Sequence, residues 1–265
     1  TPQQLDAAIR NSIGQFQVDC RGVGVDWKVP EIRSIAQALL GTVDIIPNPS
    51  QLGQAFAELM QKSMGRGVAQ ADLRVWIPQG AQVLFVRQVS PTVEDLTQRG
   101  VPINPLTQAY PTGSWGDEER DYHLQVRLPA KSVGQEQLAA RVQLAVGTEV
   151  LTQGLVKAKW SSDLNLTAQI NPEVAHYTGQ TELATAIQEG LAAKAVGDER
   201  TATTKLGRAA QLAVSTGNAE ATAKLRKVVD IDNAETGTVR LKRSVDKADE
   251  MALDTASTKT TRIRG

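Results

Sequence analysis

Residues 15–64 read QFQVDCRGVGVDWKVPEIRSIAQALLGTVDIIPNPSQLGQAFAELMQKSM, and the alternation of short apolar runs with helical patterns in them decides the fold class. Residues 16–25 are largely apolar and β-prone, with a late Gly22-Val23-Gly24 that lets the backbone turn over the top of a sheet. Pro30 follows Trp27 at the place of a first helical residue, where a missing N–H leaves no intrahelical bond unmade. Ile32, Ile35, Ala36, Leu39 and Leu40 then recur at helical spacing, and Gly41 is expected to end the helix in left-handed backbone. Residues 43–46 form a second short strand, too apolar for one wet face, so helices are expected over both faces of the sheet. Asn48 and Pro49 cap and open the next helix, whose Leu52, Phe56, Leu59 and Met60 are expected to form one buried stripe. Strand, helix, strand, helix in this order is the second half of an open, parallel, doubly wound α/β sheet.

Three stretches carry a resemblance to a known family: Cys20-Arg21-Gly22-Val23-Gly24-Val25-Asp26, Glu31-Ile32-Arg33-Ser34-Ile35-Ala36, and the helix after Asn48-Pro49. Together they resemble the later half of a von Willebrand factor type A domain. Residues 117–123 (DEERDYH), 174–180 (VAHYTGQ) and 249–254 (DEMALD) resemble the bacterial members that carry such a domain ahead of a β-rich segment and a helical tail. The resemblance implies a divalent metal, magnesium or a similar cation, held by an Asp-x-Ser-x-Ser loop, a Thr and an Asp. None of these ligands is found in residues 1–265, so no cofactor is expected of this chain itself. The expectation is that the first half of the domain is missing from the sequence and that Thr1 falls near the exit of a fourth strand.

With 29 basic and 29 acidic residues the chain has no net field to steer nucleic acid or an anionic membrane, and neither partner is indicated. No run approaches the ~18 apolar residues of a spanning helix, and no charged-then-apolar leader opens the sequence. The single Cys20 excludes an internal disulfide framework and fits a reducing, cytoplasmic setting. Its plain reading is a small apolar strand residue.

Three units are expected, with boundaries at 1–66, 67–165 and 166–265. In the second, residues 73–77 and 83–86 are β-prone runs separated by Pro78-Gln79-Gly80, which suggests a β-hairpin. Residues 123–128 and 141–146 alternate polar with apolar, and Gly147-Thr148 is a two-residue turn leading to a partner strand over 150–160. Residues 97–116, rich in Pro and Gly, read as a long irregular connection. Several short strands with regular turns predict a β-sandwich or small barrel, of which the sandwich is the expected fold. In the third unit, residues 181–195 and 201–214 are amphipathic helices broken by Gly197-Asp198 and Gly217-Asn218, and residues 219–229 supply a closing helix. Gly190, Gly197-Asp198, Ala202, Leu206 and Ala209 resemble the contact positions of one tetratricopeptide-type helical hairpin, although no second repeat follows at the ~34-residue period. A brief strand at 239–241, a helix at 245–253 and a polar, basic tail at 255–265 complete the chain.

Catalytic constellations are few. His123 and His176 fall in different units with no second ligand at metal spacing, so each reads as structural. There is no Gly-x-Ser-x-Gly elbow and no phosphate loop, and Gly22-Val23-Gly24 lacks the third glycine of a dinucleotide fingerprint. The carboxylates Asp117-Glu118-Glu119 read as a solvated face. The expected function is therefore a non-enzymatic protein-interaction scaffold whose metal-dependent site draws its ligands from outside this sequence. The alternative is an accessory subunit of an enzyme or chaperone complex with a small-molecule site between domains. Ligands of open α/β sheets gather at the strand carboxyl ends, so the loops carrying Asp26, Trp27 and Asn48 are the expected partner-binding edge. Trp27 would be the anchor, since a loop tryptophan offers large contact area at modest entropy cost.

Overall fold

The computed structural model describes residues 1–263, which form two compact units. One comprises residues 1–61, 90–93 and those from His176 onward; the other comprises 62–89 and 94–175. The first and third of the three expected segments thus belong to one unit.

In that unit the chain opens with helix α1 (Pro2–Ser12), started by a capping box between Thr1 and Gln4. Strand β1 (Cys20–Val23) pairs in parallel with β2 (Val43–Ile46), Cys20 opposite Val43 and Val23 opposite Ile46. The strand expected over 16–25 is shorter, because Val18 already directs its N–H to the carbonyl of Leu39 instead of to a neighbouring strand. Helix α2 (Val29–Ala38) joins the two strands, with Pro30 in its first turn. Its end corrects the expectation for Gly41: Leu40 takes the left-handed backbone at φ 58°. Gly41 is needed for close approach, since a Cβ there would lie 1.8 Å from the carbonyl oxygen of Val18. Asn48 caps a short 3-10 turn that leads into helix α3 (Leu52–Met64). The buried stripe expected on α3 is not buried: the helix has no buried residue, and Phe56 is 60% and Met64 76% exposed. The helical period is right, but among the described residues none covers that face enough to bury it.

The second unit has two sheets. Strand β3 (Asp72–Trp76) crosses into the other sheet at β4 (Gln82–Ser90) and does not pair with it, so Pro78-Gln79-Gly80 is a crossover and not a hairpin turn. Strand β5 (Glu94–Asp95) pairs antiparallel with β4. The segment expected to be irregular contains strands β6 (Val101–Asn104) and β7 (Thr107–Pro111). Its prolines are tolerated because Pro102 lies on an edge strand next to a bulge and Pro111 ends β7. Strands β8 (Asp121–Arg127), β9 (Glu136–Val146) and β10 (Glu149–Lys159) follow, the last two forming the expected hairpin with Gly147 at φ 56°. The five-stranded sheet runs β10-β9-β3-β7-β6 and the three-stranded one β5-β4-β8. Leu73, Val75 and Tyr110 from the first share one core with Val86 and Leu96, and Tyr122 and Leu124 of β8 pack on it. A single-turn helix, α4 (Leu164–Thr167), follows.

The chain then returns to the first unit. Helices α5 (Pro172–Ala195), α6 (Glu199–Ser215) and α7 (Ala219–Val228) are separated by Gly197 and Gly217, both in left-handed backbone. Asp198 and Asn218 cap α6 and α7 with side-chain bonds to Thr201 and Ala221. The antiparallel pair β11 (Val229–Asn233) and β12 (Thr238–Leu241), of which only β12 was expected, lies against α6. A Cβ on Gly207 of α6 would meet the carbonyl oxygen of Gly237 at 2.1 Å. Helix α8 (Lys247–Ala256) is the last helix among the described residues and packs on β2 and α2. Leu183, Ile187, Leu206, Leu225, Val228 and Leu253, drawn from four helices, form the core of this layer.

Candidate functional site

The carboxyl ends of β1 and β2 lie side by side, held by the bond from the Gly24 N–H to the Ile46 carbonyl at 3.0 Å. The parallel register places the loop 24–28 beside the loop 47–49, so the two expected loops do share one edge. Asp26 is exposed there. Asn48 is exposed as well, but its side-chain oxygen accepts the Ser50 N–H at 3.0 Å, which makes it a cap first.

Trp27 is not a free anchor. Its indole N–H donates to the Gly24 carbonyl at 3.0 Å, and the ring is laid back over β1 so closely that a Cβ on Gly22 would stand 2.0 Å from it. Gly22 is therefore the seat of the indole, a role that reading Gly22-Val23-Gly24 as a turn missed; the aromatic five residues after the glycine was the available signal. Only part of the ring stays accessible, since Trp27 is half-buried.

Around this edge the chemistry is structural. Asp19 accepts the Thr42 N–H at 2.8 Å and its hydroxyl at 2.7 Å, which ties the entry of β1 to the entry of β2. Burial, and secondarily the charge of Asp19, pushes the Cys20 thiol up, so it stays protonated and unreactive near neutral pH. Beneath the sheet, Arg33 of α2 reaches Asp254 of α8, the guanidinium 2.5 Å from the carboxylate and also bonded to the Asp254 carbonyl. Lys259 reaches Asp44 of β2 at 2.9 Å. Residues more than 200 positions apart thus bind α8 and the segment after it to the half-sheet.

Among the described residues, no group of three or more His, Cys, Asp or Glu is placed to hold a metal ion. Asp26 with an occupied Asn48 falls short of the six or more oxygen ligands that a hard divalent cation takes, so the residues present do not fit that ion. The histidines are apart. Burial and then the charge of Arg87 push His123 down, while His176 lies 2.7 Å through Nε2 from the Thr261 carbonyl and meets the Tyr177 ring edge-on at 5.1 Å. In the second unit Arg120 is spent on the carbonyls of Thr112 and Ser114, the Glu118 carboxylate and the face of Trp115. A cleft of about 500 Å³ between residues 77–81 and Pro105-Leu106 offers no titratable side chain. No described helix is long and apolar enough to cross a membrane.

Residues 211–257, from within α6 to just past α8, match the model of the von Willebrand factor type A C-terminal domain. This part of the chain is similar to that domain. The whole chain is 51% identical to the von Willebrand factor type A protein from Catenulispora acidiphila, whose solved structure superposes with a TM-score of 0.94 over 99% of this chain. The chain spans only 63% of that protein's length. The ArnB paralog VWA2 from Sulfolobus acidocaldarius is 14% identical with a TM-score of 0.47, covering 94% of this chain and 59% of that one. No curated protein matches the sequence. The matched C-terminal segment contains α8, the helix that grips the half-sheet through Asp254, so the matched residues and the α/β segment are parts of one unit.

Proposed function

We propose that residues 1–66 are the later half of a von Willebrand factor type A domain and that the protein is a non-enzymatic interaction scaffold. The supporting observation is the exposed apolar stripe of α3, Leu52, Phe56, Met60 and Met64, beside a parallel sheet of only two strands. Two strands hide too little apolar surface to be stable by themselves, and parallel sheets are built to be covered on both faces. The missing strands and helices of the first half, lying outside this sequence, would supply that cover. The length of the Catenulispora protein beyond the matched region is in keeping with such a segment. Domains of this type commonly mediate protein interaction, which favours a protein partner over a small-molecule substrate.

The partner would meet the edge formed by the loops of Asp26, Trp27 and Asn48, and any magnesium would take its ligands from residues outside this chain. The two sheets of the second unit would be a β-sandwich and α5 with α6 a tetratricopeptide-like hairpin, both presenting surface and not chemistry. The single half-buried thiol of Cys20 accords with a cytoplasmic setting. The experiment is partner capture by the longer protein carrying Asp26→Ala or Trp27→Ala, with and without magnesium. Loss of magnesium-dependent partners from Asp26→Ala, with circular dichroism unchanged, supports this edge. Retention of all partners by both variants refutes it.

A further inference from the structure

Strand β10 is the outer strand of the five-stranded sheet, bonded to β9 on one side only. Ten of its eleven residues are exposed. Residues 150–156 (VLTQGLV) carry no charge and no proline, and Leu151 is 51% and Leu155 56% exposed. A long, β-prone, uncharged edge with unpaired N–H and C=O groups is a template for another strand, and chains that stay single usually blunt such edges with charges, prolines or short length.

The charges on β10 stand only at its ends, and they differ in sign. Glu149 begins the strand, while Lys157 and Lys159 close it. This choice selects one partner. A second β10 laid antiparallel about a two-fold axis at Gly154 puts Glu149 of each copy opposite Lys159 of the other. A parallel copy would set like charges together, which is unfavourable for directly opposed residues. The register supports the same centre. Thr152 to Val156 pair with β9 without interruption, whereas the bulges fall outside them, between Val150 and Thr152 and between Val156 and Lys157. Five regular residues around Gly154 therefore present an unbroken outer edge, and Gly154 itself leaves open space, with nothing within 4 Å of an added Cβ.

We propose that β10 is a self-association edge, at which two copies of this chain join their five-stranded sheets by antiparallel β10–β10 pairing about a two-fold axis at Gly154. The contact is isologous, so it closes at a dimer and does not propagate. It is independent of the interaction edge at Trp27, which lies in the other unit.

The test is sedimentation equilibrium of the 265-residue chain and three variants, with circular dichroism to check that each is folded. Gly154→Lys is accommodated in the single copy but brings two ammonium groups together at the axis, and it should abolish the dimer. Glu149→Lys should weaken it about fivefold, since two ion pairs become two repulsions worth roughly 1 kcal/mol together. Combining Glu149→Lys with Lys159→Glu restores opposite signs across the axis and should recover most of the dimer, less the loss of the Lys159–Glu136 pair within each copy. A parent that stays monomeric, as when some other segment covers the edge, overturns the proposal. So does a dimer that Gly154→Lys leaves intact, which would place the contact elsewhere, as on the apolar face of α3.

Discussion

Two pairs of helices in the first unit, α1 with α3 and α6 with α7, are all amphipathic and have opposite fates. Leu206, Ala209, Leu225 and Val228 have no measurable exposure, while α1 and α3 bury no residue at all. The difference does not come from propensity or capping, for α1 has a full capping box and α3 follows an Asn48 cap. It comes from what lies opposite. The later helices face one another and the β11–β12 pair, and small residues let them close: a Cβ on Gly190 would stand 2.7 Å from Leu206. The face of α3 has no counterpart. An amphipathic pattern states which side of a helix requires cover, and not whether the same chain provides it.

That comparison can be broken most sharply by paired truncations. Leu206→Ala should destabilise the first unit by about 2–5 kcal/mol, as a fully buried leucine leaves a cavity. Phe56→Ala should move it by no more than about 0.5 kcal/mol, as exposed substitutions do. Urea denaturation followed by far-UV circular dichroism measures both; equal losses would mean that α3 is covered after all.

The next largest effect concerns the tie between the two regions. Arg33 and Asp254 are nearly buried, and Arg33→Ala leaves the Asp254 carboxylate and carbonyl without their donor. The cost should be on the order of 3 kcal/mol, at the low end for a broken buried pair because both groups keep some contact with water. Thermal melting should show Arg33→Lys recovering part of it. A variant as stable as the parent would mean that α8 holds the half-sheet by apolar packing alone.

A smaller effect is expected in the second unit, which has a closed core of its own. Burial, offset in part by Arg120, pushes the Tyr122 hydroxyl up to about 12. Because the folded value lies above the ordinary one near 10, its contribution to stability is complete below pH 10 and is lost as pH rises through about 12. Absorbance at 295 nm should show late-titrating tyrosine, and Tyr122→Phe should remove the component near 12 while that of Tyr110, also pushed up by burial, stays. Titration of every tyrosine near pH 10 would mean that the core around β8 is open to water.

The sequence was legible wherever a local rule decides the outcome. The parallel strands at 20–23 and 43–46, the β9–β10 hairpin at Gly147-Thr148 and the breaks at Gly197 and Gly217 all follow from turn chemistry or periodicity. It was illegible wherever the decision is tertiary. Pro78-Gln79-Gly80 is a turn, but whether it joins strands within one sheet or across two depends on β7 and β9, which pair with β3 from far along the chain. Gly41 reads as a helix stop, yet Leu40 takes the left-handed backbone, and what requires a glycine at 41 is the close carbonyl of Val18. At the candidate edge, the loops of Asp26 and Asn48 were readable from strand direction. The seating of Trp27 on Gly22 left only the five-residue spacing as a signal, and the tie from Arg33 to Asp254 left none, because 221 positions separate the two.

The central claim is that the α/β segment is only partly covered within this chain while the later helices are fully packed, and amide hydrogen exchange of the 265-residue protein tests it most directly. The account predicts strong protection over residues 202–228 and weak protection over α3 and the flanks of the β1–β2 pair. Residues 15–64 as strongly protected as 202–228 in a monomer would contradict it.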